Sequence, residues 1–263
     1  MSTTVLQRKK TTGRSRNERY RFPPLWQESL WVLDWLALRL SPVYRGIGVP
    51  RGDGSAVVLV PGFMGTDLYL TELYFWLRRM GYRPYMSAIG MNAQCPGRLA
   101  KRLLRTMEQA SGETGRPVRV VGHSLGGIIG RSACQQRPDL ASQLIYVGSP
   151  VRGVHANQAI QATVSLVRVA VRGGSRDDCL TESCRCGFGR SAATPLPPSV
   201  THAAIYTRVD AVVDWRDSQE RDSRLNHEVG GTHVGLVYNP RAYRVLAHLL
   251  AGPGLSTPAG RGP

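Results

Sequence analysis

The sequence predicts an α/β fold, a mostly parallel sheet with helices on both faces and an insertion of about 50 residues before its last strands. Three observations carry that expectation. Short β-branched or apolar runs recur at 56–60, 82–87, 118–122 and 143–147, and helical stretches separate them. Such runs suit strands buried on both faces. The alternation then breaks, and the segment 150–200 intervenes before the next strand at 203–208. A chain of 263 residues, 42% hydrophobic and 20% charged, is long and apolar enough for a sizeable core and is not wholly disordered.

The first 24 residues carry seven basic residues (Arg8, Lys9, Lys10, Arg14, Arg16, Arg19, Arg21) and one acid, Glu18. With so little apolar content this reads as a disordered basic tail. No apolar core with a small-residue cleavage site follows it, so it is not read as a secretory signal. Residues 25–40, LWQESLWVLDWLALRL, read as a helix with Trp26, Leu30, Leu33, Ala37 and Leu40 on one face and Trp31, Trp35 and Leu38 flanking them. Two roles are open to it: packing on the domain, or lying in a membrane interface where tryptophan is favoured and basic residues meet anionic lipid.

The run AVVLV at 56–60 is the first strand, ended by Pro61-Gly62. A helix over 67–80 closes at Gly81, a residue suited to a helix C-terminus. After the strand at 82–87, Pro96 opens an amphipathic helix expected to stop near Gly112. The strand at 118–122 leads into a helix over 125–137 that Pro138 ends, and the strand at 143–147 stops at Ser149-Pro150. Beyond it come a helix at 157–172, a cysteine cluster, the Pro-rich run at 194–198, the strand at 203–208, a polar segment, and a last helix over 240–251. The expected organisation is a tail (1–24), a Trp-rich helix region (25–50), one α/β domain (51–252) with an insertion at about 151–200, and a flexible tail (253–263).

The formal net charge is +16, and all basic residues but Lys9, Lys10 and Lys101 are arginine. Outside the tail the arginines are scattered, which genome composition explains as well as function does. No zinc-finger spacing, homeodomain pattern or aromatic-basic RNA-binding run is present, so nucleic acid is an unlikely partner. Five cysteines, three of them spaced C-x4-C-x-C at Cys179, Cys184 and Cys186, make neither a full disulfide framework nor a zinc motif. No metal, nucleotide or flavin motif is visible and no cofactor is expected.

The chemistry concentrates at Gly122-His123-Ser124-Leu125-Gly126, placed between strand and helix. In that context G-x-S-x-G has a mechanical meaning. The serine backbone turns sharply to lift its hydroxyl over the sheet edge, and a Cβ at either glycine would collide with strand or helix. The following helix N-terminus favours a developing oxyanion.

By this motif the chain, from about residue 55 to 250, resembles the α/β-hydrolase superfamily, lipase and esterase branch. Val60-Pro61-Gly62-Phe63-Met64-Gly65 stands where lipases carry His-Gly-x-x-Gly, with Pro61 in place of the histidine. The resemblance implies an oxyanion hole formed by the backbone N–H groups of Phe63 and Leu125. It also implies a triad in the order Ser, acid, His. Among Asp139, Asp177, Asp178, Asp210, Asp214, Asp217 and Asp222, the acid is expected at Asp210, which follows the strand AAIYTRV; Asp214 is the runner-up. Of six histidines, His123 is the variable elbow position, His155 lies near the insertion, His248 sits in the last helix and His202 precedes the acid. His233, in the Gly-flanked run GGTHVGLVYNP, is preferred over His227.

The expected function is cleavage of carboxylic esters, with Ser124 as nucleophile, His233 as general base and Asp210 as its orienting acid. The resemblance implies that the insertion at about 151–200 is a lid or cap that would shape acyl specificity, and an acyl ester or lipid is the expected substrate. A cytoplasmic location with peripheral contact to an anionic membrane is the expected setting. Acyl transfer, thioester hydrolysis, cofactor-free haloperoxidase chemistry and non-catalytic binding use the same fold, and fold alone does not separate them.

Overall fold

The computed structural model describes residues 20–153, 155–172 and 187–252. The expectations that concern the tail up to residue 19, Asp177, Asp178, the three clustered cysteines and residues 253–263 lie outside these.

Six strands form one sheet in the order β2-β1-β3-β4-β5-β6: β1 (Ala56–Val60), β2 (Arg83–Met86), β3 (Val118–His123), β4 (Ala141–Val147), β5 (Thr201–Tyr206) and β6 (Asn226–Glu228). Every pairing is parallel. Among the described residues, six α-helices accompany the sheet from β1 onward: α2 (Thr71–Met80), α3 (Pro96–Thr114), α4 (Leu125–Gln136), α5 (Gln158–Arg172), α6 (Phe188–Ala193) and α7 (Pro240–Ala251). Helix α1 (Trp31–Leu40) precedes the sheet.

The period-two alternation of a strand divides the core into two layers. Val57 and Leu59 of β1, with Val121, Ile145 and Ile205, pack against Trp76 and Leu77 of α2 and Tyr243 and Leu246 of α7. Ala56, Val58 and Val60 point the other way, with Val120 and Leu144, onto Leu99, Leu103 and Met107 of α3 and Ile129 of α4. Each large apolar side chain so buried stabilises the fold by about 1.5–3 kcal/mol. Because both sheet faces are covered, all five residues of β1 are buried, which is why its sequence shows a continuous apolar run.

Several boundaries differ from the expected ones, each for a local reason. Helix α3 runs through Gly112 and ends at Gly115, which takes the left-handed conformation with φ +67°. The buried Ala110 anchors the final turns, and a mid-helix glycine costs only about 1 kcal/mol. The expected helix at 67–80 begins as a 3-10 turn at Asp67–Leu70. Strands β4 and β5 each start two residues earlier than expected. Strand β6 is three polar residues long and shows no apolar pattern, so His227, expected in a loop, lies in a strand and is half-buried.

The N-terminal region differs most. Leu25–Leu30 is a 3-10 helix, and only Trp31–Leu40 is α-helical. The face expected to gather Trp26, Leu30, Leu33 and Leu40 is turned outward, with Leu40 77% exposed. The other face grips the domain. Leu38 is fully buried, Trp31 packs on Tyr238, and Trp35 Nε1 donates to Glu72 at 2.9 Å.

Candidate active site

The strand order sets the location. The chain leaves β1 for β2 on one side and returns as β3 on the other, so the loops after β1 and β3 diverge at their carboxyl ends. This is the crevice where open parallel sheets hold ligands. Val60 is in register with Gly122, which puts the Pro61–Gly65 stretch beside the Gly122–Gly126 turn at this point.

Ser124 stands at the sharp turn between β3 and α4. Its φ of 53° and ψ of −127° lie where a side-chain-bearing residue is strained by about 1–3 kcal/mol. The surrounding glycines make the turn possible. A Cβ on Gly122 would collide with Gly127, and one on Gly126 would collide with the carbonyl of Val60. The Ser124 N–H donates to the carbonyl of Val147 at 2.8 Å. The side chain is nearly buried and is not hydrogen-bonded to an imidazole.

Asp210 follows β5 after Thr207, Arg208 and Val209. Its Oδ1 accepts from the backbone N–H groups of Val212 and Val213, at 2.8 and 2.7 Å. Its Oδ2 lies 2.6 Å from His233 Nδ1, and both side chains are buried. A carboxylate only accepts, so Nδ1 carries the proton and Nε2 keeps a free lone pair. The imidazole rests over Gly148, where an added Cβ would stand 3.3 Å from Nδ1. Burial of the ring disfavours its charged form. The Asp210 carboxylate, its hydrogen bond and the Glu28 carboxylate outweigh that and raise the His233 pKa.

Phe63 and Leu125 stand where an oxyanion would be held, at the loop after β1 and the first residue of α4. Among the described residues neither backbone N–H donates to an internal acceptor. The Phe63 loop is braced by the buried Asn92: its Nδ2 donates to Pro61 O at 2.7 Å, its carbonyl accepts from Met64 N at 2.8 Å, and its N–H donates to Gly65 O at 2.9 Å.

His123 does more than fill the elbow's variable position. Its Nε2 donates to the carbonyl of His233 at 3.0 Å, so Nδ1 is the acceptor of the hydrogen bond that the Tyr69 hydroxyl donates at 2.9 Å. That hydroxyl in turn accepts from Gly62 N at 2.5 Å. Burial and the neighbouring His233 push the His123 pKa down to about 3, so the ring stays neutral. One chain of hydrogen bonds thus joins the loop before Phe63, the elbow and the backbone of His233.

The other candidates stand apart. Asp214 accepts from Arg216 N, Asp217 pairs with the exposed His155 at 2.7 Å, Asp139 pairs with Arg137, and Asp222 pairs with Arg224. His202 lies 3.8 Å from Glu220, and His248 is in the last turn of α7. Among the described residues no cluster of three or more His, Cys, Asp or Glu side chains forms a metal-binding group. Sequence reasoning passed over Tyr69, Asn92 and Glu28. For Glu28 a signal existed: it is one of two acids, with Asp34, inside an apolar, tryptophan-rich stretch.

Residues 81–185 match a family model described as alpha/beta hydrolase. A triacylglycerol lipase of Burkholderia plantarii is 28% identical over 127 residues, 45% of this chain and 36% of the lipase. A triacylglycerol lipase of Pseudarthrobacter phenanthrenivorans is 28% identical over 106 residues, 37% of this chain and 33% of that protein. The matches therefore span about a third of the length of these curated relatives. Among solved structures, the mature form of a Bacillus licheniformis lipase superposes with a TM-score of 0.55 at 16% identity, over 78% of this chain and 95% of the lipase. The fold is that of the α/β-hydrolases.

Proposed function

We propose that this chain, an α/β-hydrolase, is a carboxylic ester hydrolase working through Ser124, His233 and Asp210. The observation that carries the reading is the buried Asp210–His233 pair at the same sheet edge as the strained Ser124 turn. The likeness to triacylglycerol lipases supports an ester substrate.

In this mechanism Ser124 Oγ attacks the acyl carbonyl and passes its proton to His233 Nε2. Asp210 holds the tautomer and stabilises the imidazolium. The tetrahedral oxyanion takes the N–H groups of Phe63 and Leu125, aided by the α4 N-terminus. His233 then protonates the leaving alcohol, and a water activated by the same imidazole releases the acid. Ser124 and His233 lack a hydrogen bond here, as in many unliganded sites where that contact tightens only with substrate.

A groove of about 980 Å³ between α1 and α2 is the candidate acyl-chain site: Trp31, Trp35, Leu68 and Phe75 give it apolar walls, and Arg39, Glu72, Arg78 and Arg79 line it beside them. Tyr69 belongs to both the groove and the hydrogen-bond chain at the site. Hydrolysis of p-nitrophenyl esters of graded length tests the function and the groove together. A Ser124→Ala control must abolish turnover, and a preference for longer acyl chains must weaken with Phe75→Glu. No hydrolysis of any ester would move the reading to acyl transfer or binding.

Peripheral contact with an anionic membrane is the setting that the surface favours. Trp26, Leu33, Leu36, Leu40 and Ile47 are exposed on the N-terminal segment of a chain of net charge +16. No helix of the described residues is long and apolar enough to cross a membrane.

A further inference from the structure

The N-terminal 3-10 helix places Glu28 against two loops that are remote in sequence. Its Oε1 accepts from the N–H of Ala211 at 3.1 Å and of His233 at 3.2 Å, and its Oε2 accepts from Val234 N at 2.9 Å. Ala211 directly follows Asp210, so one carboxylate ties the backbone of the acid loop to the backbone of the histidine loop. We propose that Glu28 is a positioning residue of the active site, fixing the bearing of the His233 imidazole on Ser124 by clamping these two loops together. The inference rests on the hydrolase reading above, with Asp210 and His233 in the roles given there.

The same segment holds the loops at further points. The Tyr20 hydroxyl lies 2.9 Å from the carbonyl of Arg208 and 3.0 Å from that of Asp210. Asp34 of α1 accepts from Asn239 Nδ2 at 2.8 Å and from the backbone of Thr232, the residue before His233. Of these three residues, Glu28 is the one that bonds to both loops. A carboxylate suits this task because it offers only acceptors and can receive several N–H groups at once, in bonds roughly twice as strong as neutral ones. Its charge also acts on His233, favouring the imidazolium that catalysis forms. Neither effect is required of a residue that only fastens the N-terminus to the domain.

The test is Glu28→Gln in the full chain. The amide keeps the shape but loses one acceptor and turns an N–H toward a backbone donor. We expect kcat to fall about 10- to 100-fold with KM within about twofold, as for a misplaced catalytic group. The acidic limb of kcat/KM should move to lower pH. The charged and titratable groups facing His233 are Asp210, Glu28 and His123, and His123 stays neutral throughout that range. Glu28→Asp keeps the charge one methylene back, so it should leave the limb in place and restore part of kcat. The His233 imidazole titration, followed by NMR, reads the same linkage without substrate. Parent kcat and an unmoved His233 titration in Glu28→Gln overturn the proposal. Should that variant not fold, parent kcat in Glu28→Asp overturns it equally. A parent without ester turnover, whose His233 titration still shifts in Glu28→Gln, refutes the hydrolase reading and leaves the coupling of Glu28 to His233 standing.

Discussion

The Nε2–H of His123 donates to the carbonyl oxygen of His233, so the side chain preceding the proposed nucleophile holds the backbone of the proposed base. Elbow and base are thereby joined through a neutral imidazole that also accepts a hydrogen bond from the Tyr69 hydroxyl. His123→Phe keeps a ring in the space, takes the donor from the His233 carbonyl and leaves the Tyr69 O–H without its acceptor, while Gly62 N still donates to the hydroxyl oxygen. Orphaned buried groups cost about 1–3 kcal/mol each. Thermal unfolding should show Tm lowered by several degrees, and kcat should fall more than KM rises. Parent Tm and kcat in this variant would remove His123 from the account.

Asp210→Asn tests the acid. The amide can present its N–H to His233 and favour the wrong tautomer, for which the expected loss in kcat is about 10⁴-fold. The pH dependence has a definite sign. The base works only when neutral, so kcat/KM falls as pH drops through the His233 pKa, which lies above the ordinary histidine value because of Asp210 and Glu28. Removing the Asp210 charge should shift that limb to lower pH. Asp214→Asn, at a carboxylate that bonds to the backbone and guanidinium of Arg216 and not to His233, should leave kcat within about threefold of the parent.

Much of this arrangement was legible in the sequence because period and turn chemistry carry it. The apolar run of β1 and the glycines of Gly122–Gly126 can be satisfied only by a doubly covered strand and a tight strand-to-helix turn. Asp210 and His233 followed from the order and loop positions that the α/β-hydrolase resemblance implies. What stayed hidden depends on contacts between distant segments. Glu28 and Asp34 read as interruptions of an apolar cylinder, yet they face the domain, while Leu33 and Leu40 face outward. Hydrophobic periodicity alone chose the wrong face because the inward one is built on hydrogen bonds. Strand β6 was invisible for a related reason: Asn226–Glu228 joins the sheet at its edge, where no burial demands apolar residues.

Asn92→Ala tests the support of the Phe63 loop. It removes the side-chain bond to Pro61 O and keeps the two backbone bonds to Met64 and Gly65. A fall in kcat of about 10-fold or more is expected if the Phe63 N–H drifts from the oxyanion position, since one such donor is worth about 10²–10³. The measurement is kcat on a p-nitrophenyl ester beside the Tm. An unchanged kcat would mean that the backbone bonds suffice.

The exposed apolar face gives a prediction that leaves the core alone. Because Glu28 and Asp34 grip the domain from the same segment, point changes are needed here in place of truncation. Leu33→Glu with Leu40→Glu should alter stability by no more than about 1 kcal/mol, both side chains being solvent-exposed. Sedimentation with phosphatidylglycerol vesicles should show binding by the parent and loss in the double variant. Equal binding by both would assign the affinity to another surface.

The most direct measurement is reaction of the protein with a fluorophosphonate, followed by mass spectrometry of the peptides. The account predicts a single adduct on Ser124, absent from a folded Ser124→Ala variant whose ester turnover has fallen by about 10⁴-fold or more. An adduct on another residue, or ester turnover undiminished in Ser124→Ala, would contradict it.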